Sequence, residues 1–178
     1  MNIFFLHKEA KVAAQYHCDK HVVKMILESC QLLCTAHRLL DGTMSVGLSK
    51  TNRKVKRWTL PDEREQKLYI AGHINHPSAV WVRSNMDHYR WLFDLTYFLI
   101  GEYKYRYDGK YHKCEALLPA LMEGPFNIPI ADWEDPPQAM PDDSKVPGDS
   151  VEAYRNYYRN HKRRMANWKI RGAPDWYK

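Results

Sequence analysis

Five polar side chains, His17, His21, Lys24, Glu28 and Gln31, recur at alternating steps of four and three in a stretch otherwise rich in Val12, Val23, Ile26, Leu27 and Leu33. Between Ala13 and Leu40 there is no Gly and no Pro, so the spacing predicts one long helix over Ala10–Leu40 with the polar residues on one strip. Residues seven apart on a helix differ by only about 20° in direction, which places His21 and Glu28 on one line with Lys24 between them. Burying polar groups without partners costs roughly 2–7 kcal/mol each, so the strip reads as the floor of a functional cleft. A carboxylate beside a cation and an imidazole is a workable acid/base set. It can also stabilise positive charge growing on a sugar ring as a glycosidic bond breaks. Lys24, if desolvated beside another cation, becomes an amine able to attack a sugar carbon. The alternative is an ion-paired strip that closes the helix against a polar loop.

Other constellations are weaker. His17, Cys18 and His21 lie close, and Cys30, Cys34 and His37 follow at helical spacing, but no C-x2-C pair exists and no metal site is assigned. Lys50, Arg53, Lys54, Lys56 and Arg57 precede Trp58, and Arg155, Arg159, Lys162, Arg163 and Arg164 share the last predicted helix. Cations meet phosphates and flat rings stack on bases, so Arg57, Trp58 and Arg163 are candidate contacts to nucleic acid. His76, in N-H-P-S, begins a helix, where backbone N–H groups can receive a phosphate, although capping or packing explains it as well.

The elements that must carry these groups are mostly helical. Asn2–Leu6 is a short strand or extended lead-in beside the long helix, which Asp41-Gly42 ends. Residues 43–74 read as a surface excursion with one short helix near Glu63–Ile70. Pro77 opens a helix over Ser78–Arg83, and Ser84 or Asn85 caps a second long helix, Met86 to Tyr107, whose WLFDLTYFLI centre is apolar nearly all round. Tyr111–Leu121 reads as a short helix. The stretch 123–148 holds six of the ten Pro residues and reads as irregular surface chain stapled by Phe126, Ile128 and Trp133. Asp149-Ser150 caps a last helix over Val151–Lys169, and the tail RGAPDWYK docks its two aromatics. The expected fold is mainly α, a single-domain helical bundle over residues 1–178 with two long helices, a C-terminal helix and long Pro-rich loops.

In 178 residues, 44% are hydrophobic and 13% aromatic, which excludes disorder, and the formal net charge of +6 favours an anionic partner, nucleic acid first. Four Cys, two of them one turn apart on an apolar flank, suggest reduced thiols in a cytoplasmic protein. The opening MNIFFLHKEA lacks the basic region of a signal peptide, and no apolar run approaches the length of a membrane span.

At these residues a likeness appears. The strip D-K-H-V-V-K-M-I-L-E, Asp19–Glu28, is similar to the segment carrying the essential glutamate in the bacteriophage endonuclease V family, pyrimidine-dimer DNA glycosylases with AP lyase activity. The tail P-D-W-Y-K, Pro174–Lys178, resembles that family's aromatic end, and Gly72-His73 falls where the family has a Gly-His before its middle helix. The likeness covers about half the chain, which looks closer still to a set of small phage and bacterial proteins. It implies that Glu28 supports glycosidic cleavage, that His21 lies in the DNA-facing site, and that an α-amine, here of Met1, attacks C1′ to form an imine. Duplex DNA would be kinked and a base taken out of the stack. It departs from the family in its Met1-Asn2 start, in Leu27 and Gln31 standing where the family's arginines flank the glutamate, and in the Pro-rich segment.

The sequence thus supports a DNA-processing enzyme of glycosylase or glycosylase/AP-lyase type, acting on a damaged or modified base of double-stranded DNA in a bacterial cytoplasm. Glu28, Lys24, His21 and Met1 are its expected catalytic residues. His17, Asn2, Gln31, His76, Arg57, Trp58, Arg163, Trp176 and Tyr177 are its expected substrate contacts, with no cofactor and no membrane partner. The rivals are a non-catalytic nucleic-acid-binding accessory protein and an enzyme acting on free nucleotides.

Overall fold

The computed structural model describes residues 1–49 and 51–178; Lys50, counted above in the basic cluster, lies outside them. The protein is mainly α. In chain order come α1 (Ala10–Tyr16), α2 (Asp19–Asp41), β1 (Thr43–Leu48), β2 (Lys54–Thr59), α3 (Arg64–Lys67), α4 (Pro77–Ser84), α5 (Met86–Arg106), α6 (Leu118–Leu121) and α7 (Ser150–His161). Short 3-10 turns occupy Lys113–Leu117, Asp142–Ser144 and Asp175–Tyr177. The 23-residue α2 and the 21-residue α5 pack along each other, with α1 on α5 and α4 against both. Between them Val22, Met25, Ile26, Leu32 and Leu33 meet Val82, Leu92, Leu95 and Leu99, all at most 1% exposed. Polar groups inside this core are answered in series. Tyr89 donates to the Leu121 carbonyl at 2.7 Å, His37 Nε2 donates to the Tyr89 oxygen at 2.8 Å, and Arg64 donates to His37 Nδ1 at 2.9 Å.

The predicted long helix over Ala10–Leu40 is in fact two. His17 and Cys18 adopt extended backbone (ψ 132° and 160°), and the break has a cause far along the chain. Arg106, at the end of α5, donates to the carbonyls of Gln15 (2.9 Å) and His17 (2.8 Å) and to Asp19 Oδ1 (3.1 Å). Trp168 Nε1 takes the Tyr16 carbonyl at 2.9 Å. Carbonyls that a continuous helix would use internally are held by side chains from elsewhere. At the start of α2, Asp19 N donates to the Asn167 carbonyl (2.8 Å) and Lys169 N donates to Asp19 Oδ2 (3.0 Å). That docking also explains why α7 stops at His161 rather than Lys169: the chain beyond it must leave the helix to cap α2.

Two other expectations change, and the two alternatives for the lead-in are decided. Within the expected surface excursion, Thr43–Leu48 and Lys54–Thr59 pair as an antiparallel two-stranded ribbon, an element not expected there. Phe126 does not staple the Pro-rich segment; it is 78% exposed beneath the Arg64 guanidinium, whereas Ile128 is buried and Trp133 packs on Phe5, Trp81 and His88. The lead-in Asn2–Leu6 forms no strand. It is extended chain with Ile3, Phe5 and Leu6 fully buried and Phe4 at φ 54°. A bulky residue in the left-handed region is strained and persists only where packing over-determines it. Here Phe4 is wedged among His17, His21, Tyr154, Tyr157 and Tyr158. Asn85 caps α5 and Asp149 caps α7 through their side-chain oxygens, and the tail aromatics dock, with Trp176 against Tyr16 and Tyr158 and Tyr177 against Trp168.

Candidate active site

The polar strip of α2 is not uniform, because the lead-in lies across part of it. Over the first turns Phe4 covers the histidines. His21 is 4% exposed, its ring 4.2 Å from that of Phe4 and its Nδ1 2.5 Å from the Tyr158 hydroxyl. His17 is fully buried and donates from Nδ1 to the Ala13 carbonyl at 2.7 Å. Burial, reinforced by neighbouring cations, pushes His17 down to about 4 and His21 down to about 3, so both are neutral imidazoles at ordinary pH. Neither faces an open cleft, which corrects the expectation that His17 and His21 line one.

Two turns on, the strip opens. Glu28, with a side chain 15% exposed, is held from both sides: Asn2 N donates to Oε2 at 3.0 Å and Lys24 Nζ lies 3.1 Å from Oε1. Lys24 itself is 68% exposed, and its amine is paired with Glu28. Glu28 and Lys24 border a hollow of about 600 Å³, together with Val23 and Leu27 of the same helix and, across from them, Tyr69, Tyr103 and Tyr111 to Cys114. Gln31 and Tyr69 are shared with a second hollow of about 300 Å³, lined by Met1, Gly72 and His73. The structure thus brings together Glu28, Lys24, Gln31, Met1 and Asn2. His76 caps α4 by accepting from Ser78 N at 3.2 Å. Burial lowers its pKa, the Met1 amine and His73 lower it further, and Glu28 opposes them, so His76 sits within electrostatic reach of this group.

Why the walls stand there follows from local chain behaviour. Lys24, Glu28, Gln31, Thr35 and Arg38 succeed one another at four, three, four and three along one face of α2. The segment after α3 is tied down along that face: Arg38 Nε donates to the Tyr69 carbonyl at 3.1 Å, and Thr35 Oγ1 exchanges bonds with Gly72. On the far side, α5 ends in a left-handed turn at Asp108-Gly109 (φ 54° and 72°), with Gly109 N donating to the Lys104 carbonyl at 2.8 Å. The chain then returns across α2 and delivers Tyr111 to Cys114 into the hollow. Cys114 reaches Tyr69 Oη at 3.6 Å and meets Cys30; the hydrogen bond from Cys30 holds the Cys114 thiol below its usual range against the opposing effect of burial, and raises that of Cys30.

The remaining sequence candidates lie elsewhere. Arg57 and Trp58 are on β2, Arg163 is exposed beyond the end of α7, and Trp176 and Tyr177 pack among Tyr16, Tyr158 and Trp168. Two cations counted as a surface patch serve the fold: Arg155 donates to the Leu6 carbonyl and lies over Trp176, and Arg159 binds the Trp176 carbonyl and Glu152. Sequence reasoning missed Tyr69, His73, Tyr103, Tyr111, His112 and Lys113. The run YKYRYDGKYHKC, with four tyrosines in twelve residues, is the visible signal, although its helical pattern marks only the end of one helix and the start of another. Among the described residues no group of three or more His, Cys, Asp or Glu side chains is arranged to hold a metal ion, and no helix is long and apolar enough to cross a membrane. No protein-family model, curated protein or solved structure matches this chain.

Proposed function

We propose that the chain is a single-domain helical enzyme that processes double-stranded DNA as a glycosylase or glycosylase/AP lyase, with Glu28 as its catalytic carboxylate. The observation that carries this reading is the setting of Glu28: a largely shielded carboxylate bound by a main-chain N–H and an exposed amine, on the edge of a tyrosine-lined hollow of about 600 Å³. A negative charge fixed there favours the positive charge that develops on the sugar as its bond to the base stretches. An amine beside it can attack C1′ as that bond breaks; the bonding pair leaves with the base, which takes a proton. C1′ then carries the amine and the ring oxygen; the amine sheds a proton, and opening of the C1′–O4′ bond, with O4′ taking a proton to become a hydroxyl, leaves the imine. Lys24 is the amine in contact with Glu28, but at 68% exposure and paired with a carboxylate it lacks the desolvation that would activate it, so the Met1 amine in the adjoining hollow is an equal candidate. Flat rings of Tyr103 and Tyr111 suit an extruded base, since every base has a π-face.

The test uses the full chain and a labelled duplex carrying one abasic site. Borohydride should trap a covalent adduct, which Lys24→Ala abolishes if Lys24 is the nucleophile and leaves if an α-amine is. Glu28→Gln should lower base release or strand cleavage by at least about 100-fold, a loss of roughly 2.7 kcal/mol of transition-state stabilisation, while duplex affinity stays within twofold. An unchanged rate in Glu28→Gln would reduce the strip to a structural role. Turnover of free nucleosides with none on DNA would move the activity to small substrates.

A further inference from the structure

The hairpin is built unlike the rest of the surface. Directly paired residues share a face, so the register Met44↔Trp58, Val46↔Lys56 and Leu48↔Lys54 assembles one face from three apolar side chains on β1 and two cations and an indole on β2. The apolar ones are not covered: Met44, Val46 and Leu48 are 49%, 60% and 66% exposed, and Lys54 and Lys56 are exposed beside them. Contiguous exposed apolar residues on a protein surface mark contact sites. No Asp or Glu occurs between Gly42 and Pro61, while Arg53, Lys54, Lys56 and Arg57 do, so the ribbon is cationic along β2 and apolar along β1.

The ribbon is firmly seated. Arg38, 2% exposed, donates to the Trp58 carbonyl at 3.0 Å, to those of Glu65 and Leu68, and pairs with the Glu65 carboxylate. Gly42 allows the close approach, since a side chain there would run into the Arg38 carbonyl and the Trp58 side chain. Arg38 also belongs to the α2 face that carries Gln31 and Glu28, so ribbon and hollow are joined along one side of the helix. Thirteen residues separate Glu28 from the end of α2, about 20 Å at the α-helical rise, the length of about six base pairs.

We propose that the β1–β2 ribbon lies in the major groove of duplex DNA, Lys54 and Lys56 against one phosphate backbone and Met44, Val46 and Leu48 against base edges and thymine methyls. A two-stranded ribbon fits that groove, and the apolar side chains offer contact without hydrogen-bond readout, so the grip is tolerant of sequence. The charge complementarity of β2 is what selects a polyanion over a second protein. This inference rests on DNA as the partner proposed above, not on any chemistry at Glu28.

The experiment is anisotropy of the full chain on an undamaged, labelled 20-base-pair duplex over a salt series, with vesicles of phosphatidylserine and phosphatidylcholine as the competing surface. Lys54→Ala/Lys56→Ala should weaken duplex binding by at least tenfold at low salt and reduce the slope of log K against log salt by about 2. Met44→Ser/Val46→Ser/Leu48→Ser should weaken it at least threefold with the slope unchanged. All five side chains are exposed, and circular dichroism checks that the fold persists. Duplex affinity within twofold of the parent in either variant overturns the proposal, as does vesicle binding without duplex binding. Weakened binding in a protein that releases no base leaves the ribbon standing and removes only the glycosylase; base release with ribbon variants that bind like the parent does the reverse.

Discussion

His21 and Glu28 stand two helical turns apart on one line, yet they occupy opposite environments. Glu28 meets a backbone N–H, an exposed amine and open space; His21 meets the Phe4 ring and the Tyr158 hydroxyl. A residue sealed in that way positions the lead-in rather than moving protons. His21→Phe should therefore leave turnover within about threefold while destabilising the protein by about 1–3 kcal/mol, because the Tyr158 hydroxyl loses a partner inside the core. Urea unfolding and a rate measurement on the same preparation decide it; a rate loss as deep as that of Glu28→Gln would put His21 in the reacting site. The helical period was readable and placed both residues on one strip. What lay over the strip was not, because Phe4 reaches His21 through a left-handed backbone turn at a non-glycine position, which no local pattern announces. The tyrosines of the hollow were hidden for a related reason: Tyr69, Tyr103 and Tyr111 come from three segments that meet only through the turn at Asp108-Gly109 and the anchoring of Tyr69 to Arg38.

At the scale of elements, the caps, Pro77 and the apolar centre of α5 were legible, and the ends of α4 and α5 fall within a residue or so of where those signals put them. The division of α1 from α2 was not. Nothing at His17-Cys18 breaks a helix locally; the break is imposed by Arg106, 87 residues beyond Asp19, and by Trp168. Arg106 is 7% exposed and also pairs with Glu102, which in turn holds Arg171. Removing one member of such a buried set leaves charges without partners and costs about 3–5 kcal/mol. Arg106→Leu should lower stability by that amount, read as a shift in the denaturant midpoint. A change under about 1 kcal/mol would mean that the break is held by Trp168 and the α2 cap without it.

For the molecule as a whole, three buried histidines dominate its response to acid. His17 and His37 are pushed down to about 4 and His21 to about 3, in each case first by burial, with cationic neighbours adding to it. An unfolded chain returns them to about 6.5, so the unfolded state binds more protons. The stability they confer is complete above pH 6.5 and is lost as pH falls through 6.5 towards 4. At pH 5 the loss is of order 2 kcal/mol for each histidine, together comparable with the whole stability of an ordinary domain. Urea midpoints measured at pH 7.5, 6 and 5 should fall steeply, with protons taken up on unfolding by these three and, to a smaller extent, by His76 and His88, which burial also lowers; a flat profile would mean that the three rings are more accessible to water than their packing implies. The net charge of +6 was visible in the sequence, but its distribution was not: Arg155 and Arg159 are consumed by the tail, while the cations of β2 remain outward.

The strained bend at Phe4 also directs the amino end. It turns Asn2 onto Glu28 and leaves Met1 in the wall of the smaller hollow. An affinity tag or reporter fused ahead of Met1 would leave from the wall of this recess, so an inert fusion protein would not count against the activity proposed above. Handles for purification or immobilisation belong at Lys178, on the exposed opposite terminus.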